Sequence, residues 1–459
     1  MGYKMDKPKE KCAVLGIYSP KGENVTALAY QALFAMQHRG QDGAGMAGAN
    51  GTKVNVHKGL GLVGEVFAQG ALKRFEKCNI IIGHNRYATS AGTGSIFNTQ
   101  PLVMHGRGGF IGMAHNGHIV NQREIRNALQ HNGVLFQTEL DSEAMLHLIA
   151  RNPMGIEEGV REMMSQVRGS YALTLLAPGK LLGVRDPWGI RPLCIGTLDD
   201  GGYVLASESC ALSSIGATFL RDVNPGEIVS IDENGLHSIQ TPAVGNGNFC
   251  VFEYVYFARN DSVIDGLSVY QARMRMGELL FEQSPAEADL VCGVPDSALP
   301  AAMGYAEASG IPYGQALIKN TYSGRTFIQD GQHNREQSVR MKLSVLREAV
   351  EGKRIVLIDD SIVRGTNSMY FVRMLRRSGA KEVHMRIASP PVRFPCHFGI
   401  NTPTSKRLAA AQLDIEELRK KIEADSLCYL QEEQLGNAVA GCRLGLCCAC
   451  FDGKYPMPV

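Results

Sequence analysis

The sequence contains no long hydrophobic run and almost no net charge. Its 459 residues include 47 Lys+Arg and 45 Asp+Glu, which leaves a formal charge of +2. No overall positive field therefore attracts nucleic acid or an anionic membrane. No apolar segment approaches the roughly 20 residues that span a bilayer, and the first eleven residues lack the apolar centre of a secretory signal. We expect a cytoplasmic protein without a membrane or nucleic-acid partner.

Disulfides are a second expected absence, although the chain has 12 cysteines. Without an export signal, these cysteines are better explained as reduced thiols, a metal site or catalytic groups. The length is too great for one ordinary core, so two or three domains are expected. No fixed-period repeat or low-complexity tract divides the chain further.

The region 12–240 carries short β-like runs between glycine turns, among them CAVLGIY, NIIIGHNRYAT, YALTLLA and KLLGVRD. Many short strands with few helices indicate an α+β sandwich of stacked antiparallel sheets between helices. One helix is predicted because apolar residues recur at helical spacing before the stop Gly40. These residues are Val25, Leu28, Ala29, Ala32, Leu33 and Met36.

The pattern changes to strand, turn and helix in the region 265–400, after a boundary near 240–265. RIVLID enters the turn DDSIVRGTNS, a helix follows that ends near Gly379, and EVHMRIAS is the next strand. This alternation predicts an α/β domain with a parallel sheet and crossover helices. In the third region, 401–459, SKRLAAAQLDIEELRKKI predicts one polar-faced helix before a cysteine-rich tail.

Cys12 follows a basic leader of residues 1–11 and opens an apolar run. Alone, it is equally well explained as a buried cysteine at the start of a strand. If the leader is a propeptide that is removed, Cys12 gains an α-amino group with a pKa near neutrality. That amine can accept the thiol proton, and a thiol beside a built-in base is suited to attack on an amide carbonyl.

Five segments resemble the N-terminal-nucleophile glutamine amidotransferases. They are CAVLGIYSP, QHRGQDGAG (37–45), GHNRYAT (83–89), AHNGHIVN (114–121) and LDSE (140–143). The resemblance implies that Arg86 binds the α-carboxylate of glutamine and that Asp141 holds its α-ammonium. It also implies an oxyanion hole formed by Asn116 and the backbone N–H of Gly117. This chain has His118 where many relatives have asparagine.

Each of these residues also has an ordinary structural explanation. Arg86 is equally compatible with a surface ion pair, and Asp141 with a helix cap. Asn116 and Gly117 form a dipeptide that is common in hairpin turns. The occurrence of all five segments in the family order favours the functional interpretation.

VLIDDSIVRGTNS (356–368) places two carboxylates, Asp359 and Asp360, at the end of a predicted strand. The turn after them offers hydroxyl and N–H groups at a helix N-terminus, where phosphate is favoured. The carboxylates suit ribose hydroxyls and Mg²⁺, which prefers oxygen ligands. The alternative is an acidic turn that only caps a helix.

The same string resembles the signature of type I phosphoribosyltransferases. The resemblance implies that Asp359 and Asp360 contact the ribose and Mg²⁺, with Ser297 of GVPDS (293–297) near the metal in a pyrophosphate loop. IKNTYSGRTFI (318–328) resembles a loop that closes over the substrate, where Lys319 and Arg325 would contact pyrophosphate; scattered surface charges are the alternative. The implied 5′-phosphate cradle consists of Arg364, Gly365, Thr366, Asn367 and Ser368.

The tail CRLGLCCACF contains a C-x-x-C pair, Cys447 and Cys450, whose spacing suits a metal or a cluster. By resemblance to the iron–sulfur branch of the family, Cys250 and Cys396 complete four ligands of a [4Fe–4S] cluster. The alternatives are zinc on the same thiolates, Cys442 or Cys448 as a substitute ligand, or buried free thiols. The other cysteines are expected in the core: Cys78, Cys194, Cys210, Cys292 and Cys428.

Nearly the whole chain resembles the glutamine phosphoribosylpyrophosphate amidotransferases, including RDPWGIRPL (185–193), ASES (206–209) and FEYVYFARNDS (252–262). The resemblance implies transfer of ammonia from glutamine to C1 of phosphoribosyl pyrophosphate, with phosphoribosylamine, pyrophosphate and glutamate as products. This reaction is the first step of purine synthesis. A homotetramer is also implied. The alternatives are a glutaminase with another acceptor and a phosphoribosyltransferase-fold regulator.

Overall fold

The computed structural model describes residues 12–68, 70–87, 95–106, 108–320 and 343–459. The leader and Arg325 lie outside these ranges, so the predictions made for them stay predictions. In the described ranges, no helix combines the length and hydrophobicity that are needed to cross a membrane.

The strands of the N-terminal half, residues 12–240, form two antiparallel sheets with the orders β11-β9-β10-β1-β4-β2-β3 and β13-β12-β8-β7-β6-β5. In chain order they are β1 (Ala13–Tyr18), β2 (Gly43–Asn50), β3 (Lys53–Leu60), β4 (Ile80–Arg86), β5 (Leu102–Gly106), β6 (Gly109–Ile119), β7 (Gly169–Ala177), β8 (Lys180–Arg185), β9 (Cys194–Thr197), β10 (Tyr203–Ala206), β11 (Thr218–Asp222), β12 (Glu227–Asp232) and β13 (Gly235–Gln240). The predicted sandwich is confirmed.

Helices cover the outer faces of both sheets. They are α1 (Thr26–Ala35), α2 (Val63–Val66), α3 (Gln122–His131), α4 (Asp141–Ala150), α5 (Ile156–Gln166) and α6 (Ser209–Ser214). Helix α1 confirms the helix predicted from apolar spacing. In β1, Leu15 and Ile17 pack towards α1 while Val14 packs between the sheets, because successive strand residues point to opposite faces. Both faces of β1 are therefore buried, which explains its continuous apolar sequence.

The C-terminal half, residues 249–459, is built around a parallel sheet with the order β17-β20-β21-β22. Its strands are β14 (Phe249–Cys250), β15 (Val263–Ile264), β16 (Leu267–Ser268), β17 (Leu290–Gly293), β18 (Leu317–Lys319), β19 (Leu343–Val345), β20 (Arg354–Asp359), β21 (Glu382–Ile387), β22 (Ser426–Tyr429) and β23 (Leu446–Cys447). The helices are α7 (Val269–Gln283), α8 (Leu299–Ser309), α9 (Arg347–Val350), α10 (Thr366–Arg377), α11 (Ala409–Gln412), α12 (Ile415–Ile422), α13 (Glu432–Ala438) and α14 (Ala449–Asp452). The predicted parallel sheet is confirmed.

The segment predicted as one helix in the third region is interrupted, and that prediction is wrong. A 3₁₀ turn (Ser405–Arg407), α11 and α12 follow one another, and Leu413 between the two helices is extended. Asp414 starts α12 anew because its side chain accepts the N–H of Glu417 at 2.7 Å and the Glu417 carboxylate accepts the N–H of Asp414 at 3.0 Å. Beyond α12, β22 adds to the parallel sheet beside β21.

Buried charges join the two halves near the β15–β16 hairpin. Arg185, the last residue of β8, donates two hydrogen bonds to Asp265 in the hairpin turn, at 3.0 and 2.8 Å. Asp222, the last residue of β11, lies 3.4 Å from Arg443 of the tail. Burial raises the pKa of Asp222 to about 7, and the charge of Asp265 adds to this shift. The ionised form of Asp222 is therefore disfavoured in the folded chain.

This pKa gives a testable pH dependence of stability. An unfolded aspartate has a pKa of about 3.9, so the folded chain binds more protons and its free energy of unfolding falls as pH rises towards 7. We predict that Asp222→Asn, which cannot ionise, gains about 2–3 kcal/mol relative to the parent between pH 5 and pH 8. Urea denaturation at both pH values measures the change. Asp199→Asn, at an exposed position, is the control, and parallel curves for Asp222→Asn and the parent would contradict the prediction.

Candidate functional site

Cys12 and Arg86 lie side by side where two interior strands of the first sheet, β1 and β4, meet at one end of the sheet. β1 and β4 are antiparallel with Ala13 opposite Asn85, so Cys12 immediately before β1 is next to Arg86 at the end of β4. Burial lowers the pKa of Arg86, and negative charge on Cys12 opposes that shift. Cys12 and the guanidinium of Arg86 are therefore close enough to interact electrostatically.

Arg86 is buried, which disagrees with its alternative explanation as a surface residue. The residue is 4% exposed, and it donates to the carbonyl of Ser95 at 3.1 Å and to Oγ1 of Thr99 at 3.5 Å. A guanidinium buried next to a nucleophile is suited to bind a substrate carboxylate.

Asn116 and Gly117 lie within β6, so the hairpin-turn explanation is wrong. Asn116 is fully buried, and neither atom of its side-chain amide has a hydrogen-bond partner in the described structure. An unpartnered buried amide is costly and uncommon. Its donor is therefore available for a ligand atom.

The backbone N–H of Gly117 is also left unpaired by the sheet. Gly117 lies opposite Tyr171 of β7, but the N–H and C=O of Tyr171 are both bonded to Asp186, at 3.1 and 2.9 Å. The pair Gly117–Tyr171 thus exchanges no ladder hydrogen bonds, and the N–H of Gly117 points away from β7. On that other side, β5 pairs with β6 only as far as Met113.

Asp141 is the first residue of α4, and its side chain contacts the end of β6 in space. Its carboxylate accepts the N–H of Ile119 at 3.2 Å and that of Ser142 at 2.9 Å. His118 Nδ1 lies 3.2 Å from Asp141 Oδ2, so His118 contacts this carboxylate. Burial raises the pKa of Asp141, but His115, His118 and the N–H of Ile119 outweigh it and leave the pKa well below its usual value.

One short segment ties the two groups of residues together. Thr99 accepts a hydrogen bond from Arg86, and the side chain of Gln100 accepts the N–H of His115 at 2.8 Å. A second connection joins β4 to β6, where His84 Nε2 lies 3.1 Å from the carbonyl oxygen of His115. The predicted carboxylate-binding arginine and the predicted oxyanion donors are therefore fixed relative to each other.

The second site lies at the carboxyl edge of the parallel sheet. β20 ends at Asp359, and the next residue, Asp360, is held by the hydroxyls of Ser361 at 2.7 Å and Ser297 at 2.5 Å. Ser297 follows β17, which is the neighbour of β20 in the sheet. The carboxyl edge of a parallel sheet is where ligands of such folds bind.

The turn after Asp360 encloses a small cavity at the start of α10. The N-cap residue of α10 is Gly365, with φ 80°, and the cavity is therefore close to the N–H groups of the first helical turn. Its lining residues are Asp359, Ser361, Ile362, Val363, Gly365, Asn367 and Ser368. Three of the five predicted phosphate-cradle residues thus line this cavity; Arg364 and Thr366 lie in the same turn.

The predicted pyrophosphate loop and the first residues of the predicted closing loop are in contact. Lys319, at the end of β18, forms an ion pair with Asp296 of the GVPDS segment. Both side chains are about half exposed, so the contact is compatible with the predicted role of Lys319 and with a surface charge. The strands β18 and β19 pair with each other on either side of residues 321–342, which are outside the described ranges.

The structure gathers the four cysteines that were predicted as cluster ligands. Cys250 of β14 lies opposite Cys447 of β23 in a parallel pair, and Cys450 accepts backbone N–H groups from Arg393 and Phe394, shortly before Cys396, at 3.0 and 3.1 Å. No disulfide joins any of the 12 cysteines, all of which are described. Of the five cysteines assigned to the core, four are buried and Cys428 is half-buried.

The electrostatics agree with this proximity. Burial, with smaller contributions from Cys396 and Cys448, raises the pKa of Cys447 to about 12, against the opposing effects of the N–H of Ala449 and the charge of Arg191. The pKa of Cys450 is raised in the same way, by burial and by the neighbouring thiols. Cys396 Sγ accepts the N–H of Phe398 at 3.3 Å. Four neighbouring thiols, two of them buried, fit a cluster whose irons each take one thiolate.

A single metal ion fits this arrangement less well. Zinc requires its four ligands within one coordination sphere, and no three His, Cys, Asp or Glu side chains of the described residues are placed to hold one ion. Cys448 is near enough to influence Cys447, so its role as a substitute ligand stays open.

Sequence reasoning missed a buried ion network between the two halves. Arg39 donates to Glu253 at 2.9 and 2.8 Å and to Glu208 at 2.5 Å, and Arg191 lies 3.4 Å from Glu253. Arg39 Nε also donates to the carbonyl of Cys12 at 3.2 Å. The available signal was a single acid inside an apolar run, as in FCVFEYVYF, because such an acid must be paired.

The sheets and the first site define the class of a glutamine amidotransferase whose chain continues into a phosphoribosyltransferase-like parallel sheet. A family model described as a glutamine amidotransferase domain matches residues 84–214. This range includes Arg86, the two residues of the predicted oxyanion hole and Asp141.

Comparisons over the full length identify the family. An amidophosphoribosyltransferase of Synechocystis sp. is 48% identical over 100% of this chain and 93% of its own length, and one of Bacillus subtilis is 46% identical over 98% and 95%. The solved B. subtilis glutamine phosphoribosylpyrophosphate amidotransferase, complexed with ADP and GMP, has a TM-score of 0.91 at 45% identity and covers 97% of this chain and 98% of that chain. The chain belongs to the amidophosphoribosyltransferase family.

The geometry around Asp141 gives a prediction for substrate binding. Asp141→Asn should raise the KM for glutamine about 10- to 100-fold, because a hydrogen bond to a charged group contributes about 1.5–3 kcal/mol. Activity with added ammonia should be retained. Steady-state kinetics with both nitrogen sources measure the effect, with Glu139→Gln, an exposed acid two residues away, as the control. An unchanged KM in Asp141→Asn would remove this residue from the glutamine site.

Proposed function

We propose that this chain transfers the amide nitrogen of glutamine to C1 of 5-phosphoribosyl 1-pyrophosphate, giving 5-phosphoribosylamine, pyrophosphate and glutamate. The observation that carries the proposal is the presence of two complementary sites in one chain. One has a thiol beside a buried guanidinium and unpaired amide donors. The other has two acids and a small cavity at the carboxyl edge of a parallel sheet.

In the first half-reaction, the Cys12 thiol attacks the amide carbon of glutamine and ammonia leaves from the tetrahedral intermediate. Asn116 and the N–H of Gly117 stabilise the negative charge on the carbonyl oxygen, where donors act most strongly because the site excludes water. Arg86 binds the α-carboxylate and Asp141 the α-ammonium. Water then hydrolyses the thioester and releases glutamate.

In the second half-reaction, ammonia attacks C1 of the sugar as pyrophosphate leaves. Asp359 and Asp360 accept the ribose hydroxyls, and the 364–368 turn donates to the 5′-phosphate. Lys319 and Arg325 contact pyrophosphate. Ser297 and the two acids would hold Mg²⁺ through the oxygen ligands that it prefers, and the ion would supply positive charge opposite the pyrophosphate.

Removal of residues 1–11 is part of the proposal because the chemistry of Cys12 needs a free α-amino group. Cys12 has φ 50°, a conformation that is uncommon for a residue with a side chain. Mass spectrometry of active protein should find a chain that begins at Cys12. Fully active protein that retains Met1 would show that another group is the base.

The cysteine-rich tail is proposed to hold a [4Fe–4S] cluster through Cys250, Cys396, Cys447 and Cys450. Its contribution is structural, since neither half-reaction transfers electrons. These ligands come from three separated segments of the C-terminal half, so a bound cluster would tie the tail to the segments around Cys250 and Cys396. A homotetrameric assembly and a cytoplasmic location complete the proposal and follow from family resemblance and from composition.

The catalytic proposal is tested by separating the two nitrogen sources. Cys12→Ala should lose glutamine-dependent pyrophosphate release by at least about 10³-fold, while release with added ammonia continues, because the sugar site is unchanged. Asp360→Ala should weaken both activities. The measurement is pyrophosphate release with glutamine or ammonium chloride, and circular dichroism verifies the fold. Loss of both activities in folded Cys12→Ala would contradict the assignment.

The cluster proposal is tested by iron analysis of adjacent cysteines. Protein purified anaerobically should contain about four irons per chain, as one [4Fe–4S] cluster holds. Cys447→Ser should lose this iron and unfold at a lower temperature. Cys448→Ser, which changes the adjacent half-buried thiol, should retain the iron and the unfolding temperature of the parent. Iron that is lost with Cys448→Ser instead, or zinc in place of iron in the parent, would refute the ligand set.

A further inference from the structure

Gly117, which carries the predicted oxyanion donor on its backbone, has no side chain that could restrict its backbone conformation. Gly117 has φ 151°, and a Cβ added there would lie 2.0 Å from the carbonyl oxygen of Ser170. Only glycine fits this close approach of two strands. Because a glycine peptide turns more easily than any other, its orientation must be fixed by the groups that pack around it.

One of these groups comes from the C-terminal half. Gly399 lies against Gly117, since a Cβ added at Gly399 would be 3.3 Å from the carbonyl carbon of Gly117 and 2.5 Å from Nη2 of Arg191. Gly399 has φ 116°, so a side chain would also strain its backbone. The segment Cys396–Gly399 therefore covers the strand that carries the predicted oxyanion hole.

The carbonyl of Phe398 fixes this segment to the sandwich. It accepts the hydroxyl of Ser170 at 2.5 Å and Nη2 of Arg191 at 2.8 Å. Ser170 is fully buried, Arg191 is 1% exposed and Phe398 is 2% exposed. Two buried donors on one carbonyl oxygen leave it little freedom, since each loss would strand a buried polar group.

Ser170 therefore touches both sides of the contact. Its backbone carbonyl packs on Gly117, its register partner is His118, and its hydroxyl binds the segment that covers Gly117. On the far side, Cys396 Sγ accepts the N–H of Phe398 at 3.3 Å and the ring of Phe398 lies 6.1 Å from that of Tyr455. The segment is thus held by the N-terminal sandwich and by the C-terminal half at once.

We propose that Ser170 is a positioning residue for glutamine cleavage: through Phe398 it clamps Gly117, so that the C-terminal half sets the orientation of the oxyanion donor. This inference rests on the proposed function, in which the N–H of Gly117 stabilises the tetrahedral intermediate. Ser170 does not touch glutamine, and its effect is confined to the transition state, where the oxyanion exists.

The test is Ser170→Ala, which removes the hydroxyl and leaves the strand intact. Loss of a complete oxyanion donor costs about 10²–10³-fold in kcat, so a misoriented donor should cost about 10-fold. The KM for glutamine should stay within about 2-fold, because ground-state binding is unaffected. Pyrophosphate release with added ammonia should be retained, and so should the rate at which iodoacetamide alkylates Cys12, which involves no oxyanion.

Two further variants separate positioning from general loosening. Thr241→Val removes another buried hydroxyl that donates to a backbone carbonyl, that of Gly226 at 2.6 Å, away from Gly117, and should leave kcat unchanged. Ser170→Thr retains a hydroxyl and should recover most of the kcat lost in Ser170→Ala. A kcat that is lost in Ser170→Ala, recovered in Ser170→Thr and unchanged in Thr241→Val would support the clamp.

The proposal is overturned if Ser170→Ala keeps the parental kcat, or if kcat falls together with ammonia-dependent release or Cys12 alkylation. An equal loss in Thr241→Val would overturn it as well. Failure of the proposed function is a separate result, because the parent itself would then release no pyrophosphate with glutamine. In that case the contacts of Ser170 would still be tested by the thermal stabilities of the same variants.

Discussion

Glu253 places a negative charge where water does not reach, and the relative position of the two halves depends on how that charge is paired. Arg39 from the N-terminal half donates two hydrogen bonds to it, and Arg191 lies within 3.4 Å. Breaking a buried pair costs about 3–5 kcal/mol because one charge is left uncompensated. The halves therefore have one favourable docking geometry, and Arg39, which also binds the carbonyl of Cys12, extends this constraint to the predicted nucleophile.

The proposed glutamine site and the predicted cluster cysteines both lie near this junction. Arg191 donates to Phe398, whose segment covers Gly117, and Cys250 lies three residues before Glu253. The proposed glutamine site thus contacts groups from the C-terminal half, while the described residues of the proposed sugar site all belong to the C-terminal half. This difference explains why variants at the junction should affect use of glutamine and spare use of ammonia. The same contacts connect the cysteine-rich tail physically to the proposed cleavage of glutamine, although that reaction transfers no electrons.

Much of the fold could be predicted from local pattern. β1 and β20 are short apolar runs bounded by turns, and α1 follows its apolar spacing, so each is fixed by its own residues. The 405–422 segment was predicted wrongly because apolar periodicity continues across Leu413, although D-x-x-E at Asp414 is a helix-start signal. Contacts such as Ser170 with Phe398 could not be predicted, since they join residues 228 positions apart and depend on how two domains dock.

The central claim is that one chain supplies the nitrogen and consumes it at the activated sugar. The most direct measurement follows glutamate and pyrophosphate in the same reaction with glutamine and phosphoribosyl pyrophosphate, and repeats it with ammonia in place of glutamine. The account predicts equal amounts of glutamate and pyrophosphate with glutamine, and pyrophosphate alone with ammonia. A purified, folded protein that releases no pyrophosphate with either nitrogen source would contradict it.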